Sequence, residues 1–122
     1  MSDVIFHITS VAAWDEACIA GAYRAASLAA EGFIHCSTQA QVLPVAEKFY
    51  SGQGDLVLLS IDPRRLTSAL KWEPPSGGSP PPGVAAGETF PHVYGPINLE
   101  AVIQVLAFDA SPNGHFSWPA AR

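Results

Sequence analysis

Glu31-Gly32-Phe33-Ile34-His35-Cys36-Ser37-Thr38 is the stretch whose reading decides the fold. Behind a glycine and two β-favouring apolar residues it sets an imidazole, a thiol and two hydroxyls in succession. Read as a strand over Phe33–Ser37, it puts Ile34 and Cys36 on one face and Phe33, His35 and Ser37 on the other. Thr38 then closes the strand, and Gln41, three residues on, has the spacing of a capping box at a helix start. Polar chemistry therefore lies where a strand hands over to a helix. A purely structural reading stands beside this one: His35 as a hydrogen-bonded core histidine and Thr38 as a simple cap.

Outward from that stretch, the chain of 122 residues is long enough to bury a core. With 48% apolar and 14% charged residues, it has the composition of a packed globular protein and not of a disordered one. Six Lys and Arg against eleven Asp and Glu leave a net charge of −5, which argues against a nucleic-acid partner, because such a site needs a basic patch. The start of the chain has no basic region ahead of its apolar run, and no apolar stretch reaches membrane-spanning length. A cytoplasmic protein with reduced thiols is expected, since Cys18 and Cys36 alone do not make a disulfide framework.

Upstream, Val4–Thr9 reads as a first strand, with Val4, Phe6 and Ile8 on the core face and Ile5, His7 and Thr9 opposite. Thr9 or Ser10 caps the next helix, Trp14, Ala17 and Cys18 form its apolar stripe, and Gly21 ends it. Cys18 is expected in the core. Ala22–Ala30 fits either a short helix or a turn. Downstream, Val42, Val45, Ala46 and Phe49 give a helical stripe to about Tyr50, with Pro44 expected in the first turn. Asp55–Asp62 is the most apolar run and reads as a strand buried on both faces. Pro63–Leu70 is expected to hold a helical turn, and Lys71–Glu73 a short strand with Trp72 inward.

From Pro74 to Gly87, nine of fourteen residues are Pro or Gly. Too few residues follow for a second core, so this is a long surface loop, of the kind used as lids. Phe90, His92 and Tyr94 share a face of the next segment, where Pro91 suggests an edge or irregular strand. Ala101–Phe108 reads as a strand, Ser111–Gly114 as a turn, and His115–Trp118 as its hairpin partner.

Three histidines, His7, His35 and His92, thus fall at alternating positions of three separate strands, each beside a polar or aromatic neighbour: Thr9, Ser37 and Tyr94. The grouping points to one cleft on one side of the sheet, with the proline-rich loop as its cover. His115 reads as a surface residue. Metal binding lacks any local ligand spacing such as CxxC or HxxxH. A Cys36–His35 nucleophilic pair is opposed by the strand alternation. Recognition of a polar small molecule fits the imidazoles, hydroxyls and aromatic rings, although no Walker or Gly-x-Gly-x-x-Gly phosphate loop is present.

The first-strand histidine, the helical tryptophan, Gly21-x-Tyr23, Ser27-Leu28, the octapeptide, Trp72-Glu73 and Phe90-Pro91-His92-Val93-Tyr94-Gly95-Pro96 together resemble domain-of-unknown-function family 952, over nearly the whole chain. That family is similar in fold to the ADP-ribosyltransferase-like proteins. The resemblance implies a single α+β domain over residues 1–122, with a split mixed or antiparallel sheet, two or three helices and a central cleft that grips NAD. It implies His7 at the nicotinamide-side ribose, Ser37 and Thr38 as the cleft hydroxyls, and His92, or alternatively Glu73, in the third position, commonly a glutamate. His35 completes the catalytic set. Phe33, Tyr94 or Phe90 would stack on the nicotinamide ring, and Arg24 would meet the pyrophosphate. NAD enters as a substrate, with no cofactor implied. The activity implied is ADP-ribosyl transfer or glycosidic cleavage; the alternative is a non-catalytic nucleotide-like binding module on the same fold, and a metal-dependent hydrolase stands third.

Overall fold

A computed structural model describes residues 4–75, 80–85, 87–111 and 115–119. Two three-stranded sheets carry the architecture. One has the order β1 (Ile5–Ser10), β4 (Leu56–Ile61), β8 (Val102–Ala107); the other has β3 (Ile34–His35), β6 (Phe90–Tyr94), β5 (Ala69–Glu73). A two-stranded ribbon, β2 (Ala22–Tyr23) with β7 (Ile97–Asn98), completes the strands, and every pairing is antiparallel. Among the described residues three α-helices are interspersed: α1 (Val11–Ala20), α2 (Ala26–Glu31) and α3 (Gln39–Phe49). The class is α+β with a split, antiparallel sheet. Among the described residues no helix is long and apolar enough to cross a membrane.

The octapeptide joins the two sheets. Its regular pairing is shorter than the expected Phe33–Ser37, because β3 follows β6 only through Ile34 and His35. Ser37 then exchanges both backbone hydrogen bonds with Phe6 of β1, each 2.8 Å. Alternation survives the change of partner: Ile34 and Cys36 are buried in the apolar core, while His35 and Ser37 face a cleft. Thr38 caps α3 as expected, and its N–H donates to Gln41 Oε1 at 3.0 Å.

Two apolar clusters flank the first sheet. All six β4 residues are buried, Val57, Leu59 and Ile61 in one cluster and Leu56 and Leu58 in the other. That is the period-2 signature of a strand covered on both faces, each large side chain contributing about 1.5–3 kcal/mol of burial. On β1, Ile5 joins the first cluster and Phe6 and Ile8 the second, so both faces are covered there too. α3 seals the second cluster with Val42 and Ala46.

Several expectations are corrected. Pro44 lies in the second turn of α3, not the first, because the Thr38–Gln41 cap fixes the start at Gln39. Its ring packs against the proline-rich segment, where a Cβ on Gly83 would come within 3.3 Å of Pro44 Cγ. Cys18 is exposed, not core: α1 buries its Ala13–Trp14–Ala17 side, and Cys18 stands about 100° round the helix from Ala17. Trp72 is half exposed rather than inward, since β5 is an edge strand and Trp72 lies near its end, opposite Pro91. β6 is the central strand of its sheet despite Pro91. The Pro91 carbonyl accepts from the Cys36 N–H at 3.0 Å, so the missing Pro91 N–H costs one bond at the end of the short β3–β6 ladder, one residue before Ser37 pairs with β1. His115–Trp118 forms no strand; Phe116 instead stacks on Phe108 and Trp118 meets Phe6 edge-on. The expected turn at Ser111–Gly114 falls largely outside the described residues, as do residues 76–79 and 86 of the proline-rich loop.

Candidate functional site

Where β1 and β3 meet, the two sheets, α3 and the proline-rich segment enclose a cleft of about 450 Å3. That volume suits a small organic ligand. His35, Ser37 and His92 supply polar lining, Phe49 and Phe90 aromatic lining, and Pro81 a cover from the loop. The loop is tied down by Gln41, whose Nε2 donates to Glu88 Oε1 at 3.0 Å and to the Thr89 carbonyl at 2.9 Å.

His92 is the best-held ring of the site. It is 2% exposed, and its Nδ1–H donates to Glu73 Oε1 at 2.8 Å. The same oxygen accepts the Tyr94 hydroxyl at 2.6 Å. Phe33 stacks on the imidazole at 4.2 Å between centroids. Alternation on β5 and β6 builds this cluster, because Glu73 lies across from Phe90 and projects on the face of His92 and Tyr94. The hydrogen bonds from Tyr94 and His92 hold the Glu73 carboxyl below its usual range, and the carboxylate in turn raises the Tyr94 phenol. In the tautomer that donates from Nδ1 to Glu73, the lone pair of the ring is at Nε2. That atom has no hydrogen-bond partner among the described residues, and it is not sealed from the cleft.

A second histidine–carboxylate pair borders the first. Glu31 ends α2, Gly32 turns the chain through a left-handed φ of 92°, and His35 Nε2 comes back to donate to Glu31 Oε2 at 3.0 Å. Glu31 lines the cleft, and the His35 ring stands 5.3 Å from the His92 ring between centroids. Two glutamates and two histidines therefore converge from α2, β3, β5 and β6.

His7 lines the cleft but is locked by the protein on both nitrogens. Nδ1–H donates to the His35 carbonyl at 2.6 Å, and Nε2 is 2.8 Å from the Tyr23 hydroxyl. Burial drives its pKa down to about 4, so the ring is neutral. A neutral ring that donates from Nδ1 accepts at Nε2, so Tyr23 gives its proton to His7, and its oxygen, 2.9 Å from Thr9 Oγ1, is left to accept from that hydroxyl. Burial also pushes the Tyr23 phenol up to about 12. This network braces β1 against β2 and leaves His7 no nitrogen for a ligand.

The remaining residues divide. Ser37 is buried at the cleft wall, with its backbone in the Phe6 bridge. Thr38 serves the helix cap and is not part of the lining, and neither is Arg24, which is exposed on the segment before α2. Phe33, Tyr94 and Glu73 stand behind His92 rather than on the cleft wall. Sequence reading missed Glu31 and Tyr23 as partners; the i, i+4 spacing of Glu31 and His35 was the one available signal. Burial pushes the Cys36 thiol up, which makes it a poor nucleophile. Among the described residues no group of three His, Cys, Asp or Glu has metal-binding geometry.

The sequence pattern of the family described as "Protein of unknown function (DUF952)" matches residues 8–105, so the chain belongs to that family. The crystal structure of protein CC0527 from Caulobacter crescentus is similar, with a TM-score of 0.78 and 34% identity over 93% of each chain. A solution NMR structure of CC0527 gives a TM-score of 0.73 and 34% identity, over 92% of this chain and 90% of that one. No curated protein matches the chain.

Proposed function

We propose that this DUF952 protein is an enzyme of ADP-ribosyltransferase-like fold that takes a ribosyl ligand of the NAD class into the cleft and cleaves or transfers at its N-glycosidic bond. One observation carries the reading: a buried His92, oriented by the Glu73 carboxylate through Nδ1, with Nε2 unpartnered among the described residues, at a cleft of small-molecule size. A carboxylate behind Nδ1 fixes the tautomer and steadies the imidazolium formed when Nε2 takes a proton.

The chemistry follows. Breaking the bond between ribose and a pyridinium ring builds positive charge on the sugar, and the leaving group needs no acid, since the bond pair cancels the ring's own charge. The site must hold the sugar, supply negative potential and activate an acceptor. Water, or another hydroxyl, attacks the anomeric carbon and its proton passes to His92 Nε2, while Glu73 stabilises the charged ring. Glu31, on the cleft wall, supplies negative potential, and Ser37 and His35 offer hydrogen bonds to ribose hydroxyls. His7 acts behind the site, as a brace for β1 and for the His35 carbonyl.

The test is nicotinamide release from NAD and from its nucleoside and nucleotide fragments. Release from any of them, falling by about 10²–10⁴ in His92→Gln while folded His7→Asn stays within a few-fold of wild type, supports this assignment. Binding without release supports the non-catalytic module instead, and neither binding nor release overturns the reading.

A further inference from the structure

We infer that Tyr94 is the positioning residue of this site: by donating to the oxygen that Glu73 turns to His92, it fixes the carboxylate on Nδ1, so that Nε2 meets the cleft as an acceptor. This rests on the reading of His92 as the base and deepens it.

The strand register shows why the histidine–carboxylate pair needs a third member. Lys71 of β5 lies across from His92 of β6, and Glu73 and Tyr94 stand two residues away on opposite sides of that pair. All four share one face of the sheet. The two long side chains therefore converge from either end, and Glu73 Oε1 lies 2.8 Å from His92 Nδ1 and 2.6 Å from the Tyr94 hydroxyl. Glu73 is the last residue of an edge strand, and its side chain is 33% exposed. A carboxylate so placed can turn to water, and one bond from the imidazole does not set its direction. Lys71 attracts it as well. The Lys71 ammonium, however, lies over the Tyr94 ring, 4.7 Å from the centroid, and a point charge does not choose which oxygen faces Nδ1.

Tyr94 has the rigidity to make that choice. Lys71 covers its ring, and Phe33, which stacks on His92, stands 5.3 Å from it between centroids. Its hydroxyl gives Glu73 a short, charge-assisted bond, the largest of the influences that hold the carboxyl below its usual range. Tyr94 is not part of the cleft lining, so it acts through Glu73 and not on a ligand. The consequence falls on His92. A neutral imidazole carries one ring proton, and the partner of one nitrogen decides what the other presents. With Glu73 held, the proton stays on Nδ1 and Nε2 accepts. With Glu73 released, the proton can move to Nε2, and the cleft meets a donor in place of a base.

Long-range proton–nitrogen NMR of the whole chain, labelled at histidine, reads the His92 tautomer without any ligand. A mildly alkaline buffer makes the comparison one of tautomers rather than charge states, and His92→Gln assigns the signals. Wild type should show the proton on Nδ1, and Glu73→Ala gives the ring with no carboxylate behind it. Tyr94→Phe, which keeps the ring and its contacts, should raise the Nε2–H form about tenfold or more towards that reference, the scale of one charge-assisted hydrogen bond. In nicotinamide release it should lower kcat about tenfold and leave KM within about twofold. A folded Tyr94→Phe protein with the wild-type tautomer overturns the positioning role and leaves the N-ribosyl reading standing. The expected tautomer change in a protein whose wild type releases no nicotinamide supports the positioning role and counts against the N-ribosyl reading alone.

Discussion

Acid should unfold this protein through His7. Its ring is buried, donates to the His35 carbonyl from Nδ1 and accepts from Tyr23 at Nε2. A second proton would place a charge in the core and set an N–H against a hydroxyl that is itself the donor. Burial accordingly lowers the pKa from 6.5 to about 4. Between those values the unfolded chain holds a proton that the folded chain refuses, so stability rises with pH across the window. The contribution is fully present above pH 6.5, declines as pH falls and is exhausted below about pH 4. At about 1.4 kcal/mol per pH unit, the loss across the window is ~3 kcal/mol, a large share of the 5–15 kcal/mol typical of a domain. Urea unfolding of wild type and His7→Asn, in steps from about pH 7.5 to about pH 4, isolates it, because the carboxylates titrate alike in both. Asn keeps an amide donor for the His35 carbonyl and removes the titrating group. The stability advantage of wild type should shrink by ~3 kcal/mol down the series. An advantage that stays constant with pH would refute the argument.

Two further outcomes check other parts of the structure. A thiol reagent at mild alkaline pH should label one cysteine, the exposed Cys18, in the folded protein, and reach Cys36 only on unfolding, because burial both hides that thiol and raises it; mass spectrometry of the labelled peptides reads this. Gln41→Ala removes the acceptor for the Thr38 N–H and two donor contacts to the loop, so it should cost about 1–3 kcal/mol in chemical denaturation and speed proteolysis within residues 80–89.

Parts of the site were legible because they are local. Alternation placed Phe33 and His35 on one face, and likewise Phe90, His92 and Tyr94, and the rings of Phe33, His35, His92 and Tyr94 do converge. Spacing found the Thr38–Gln41 cap, and composition found β4 as a strand buried on both sides. Glu73 was legible as a position but not as a partner: it meets His92 across 19 residues of chain. Nothing near His92 in sequence announces that carboxylate.

The sequence by itself determined the strands and helices whose signals lie within a few residues: a two-residue period, a 3.6-residue stripe, a capping hydroxyl, a left-handed Gly21. Tertiary structure alone decided what each polar group meets. His7 looked like a ligand-facing histidine and is instead held by groups 16 and 28 residues away. Pro91 looked like an edge residue and sits mid-sheet, at the end of the short β3–β6 ladder, where its missing N–H costs a single bond. Periodicity fixes the face on which a side chain stands; whether its nitrogen is free depends on partners that only the folded chain brings within 3 Å.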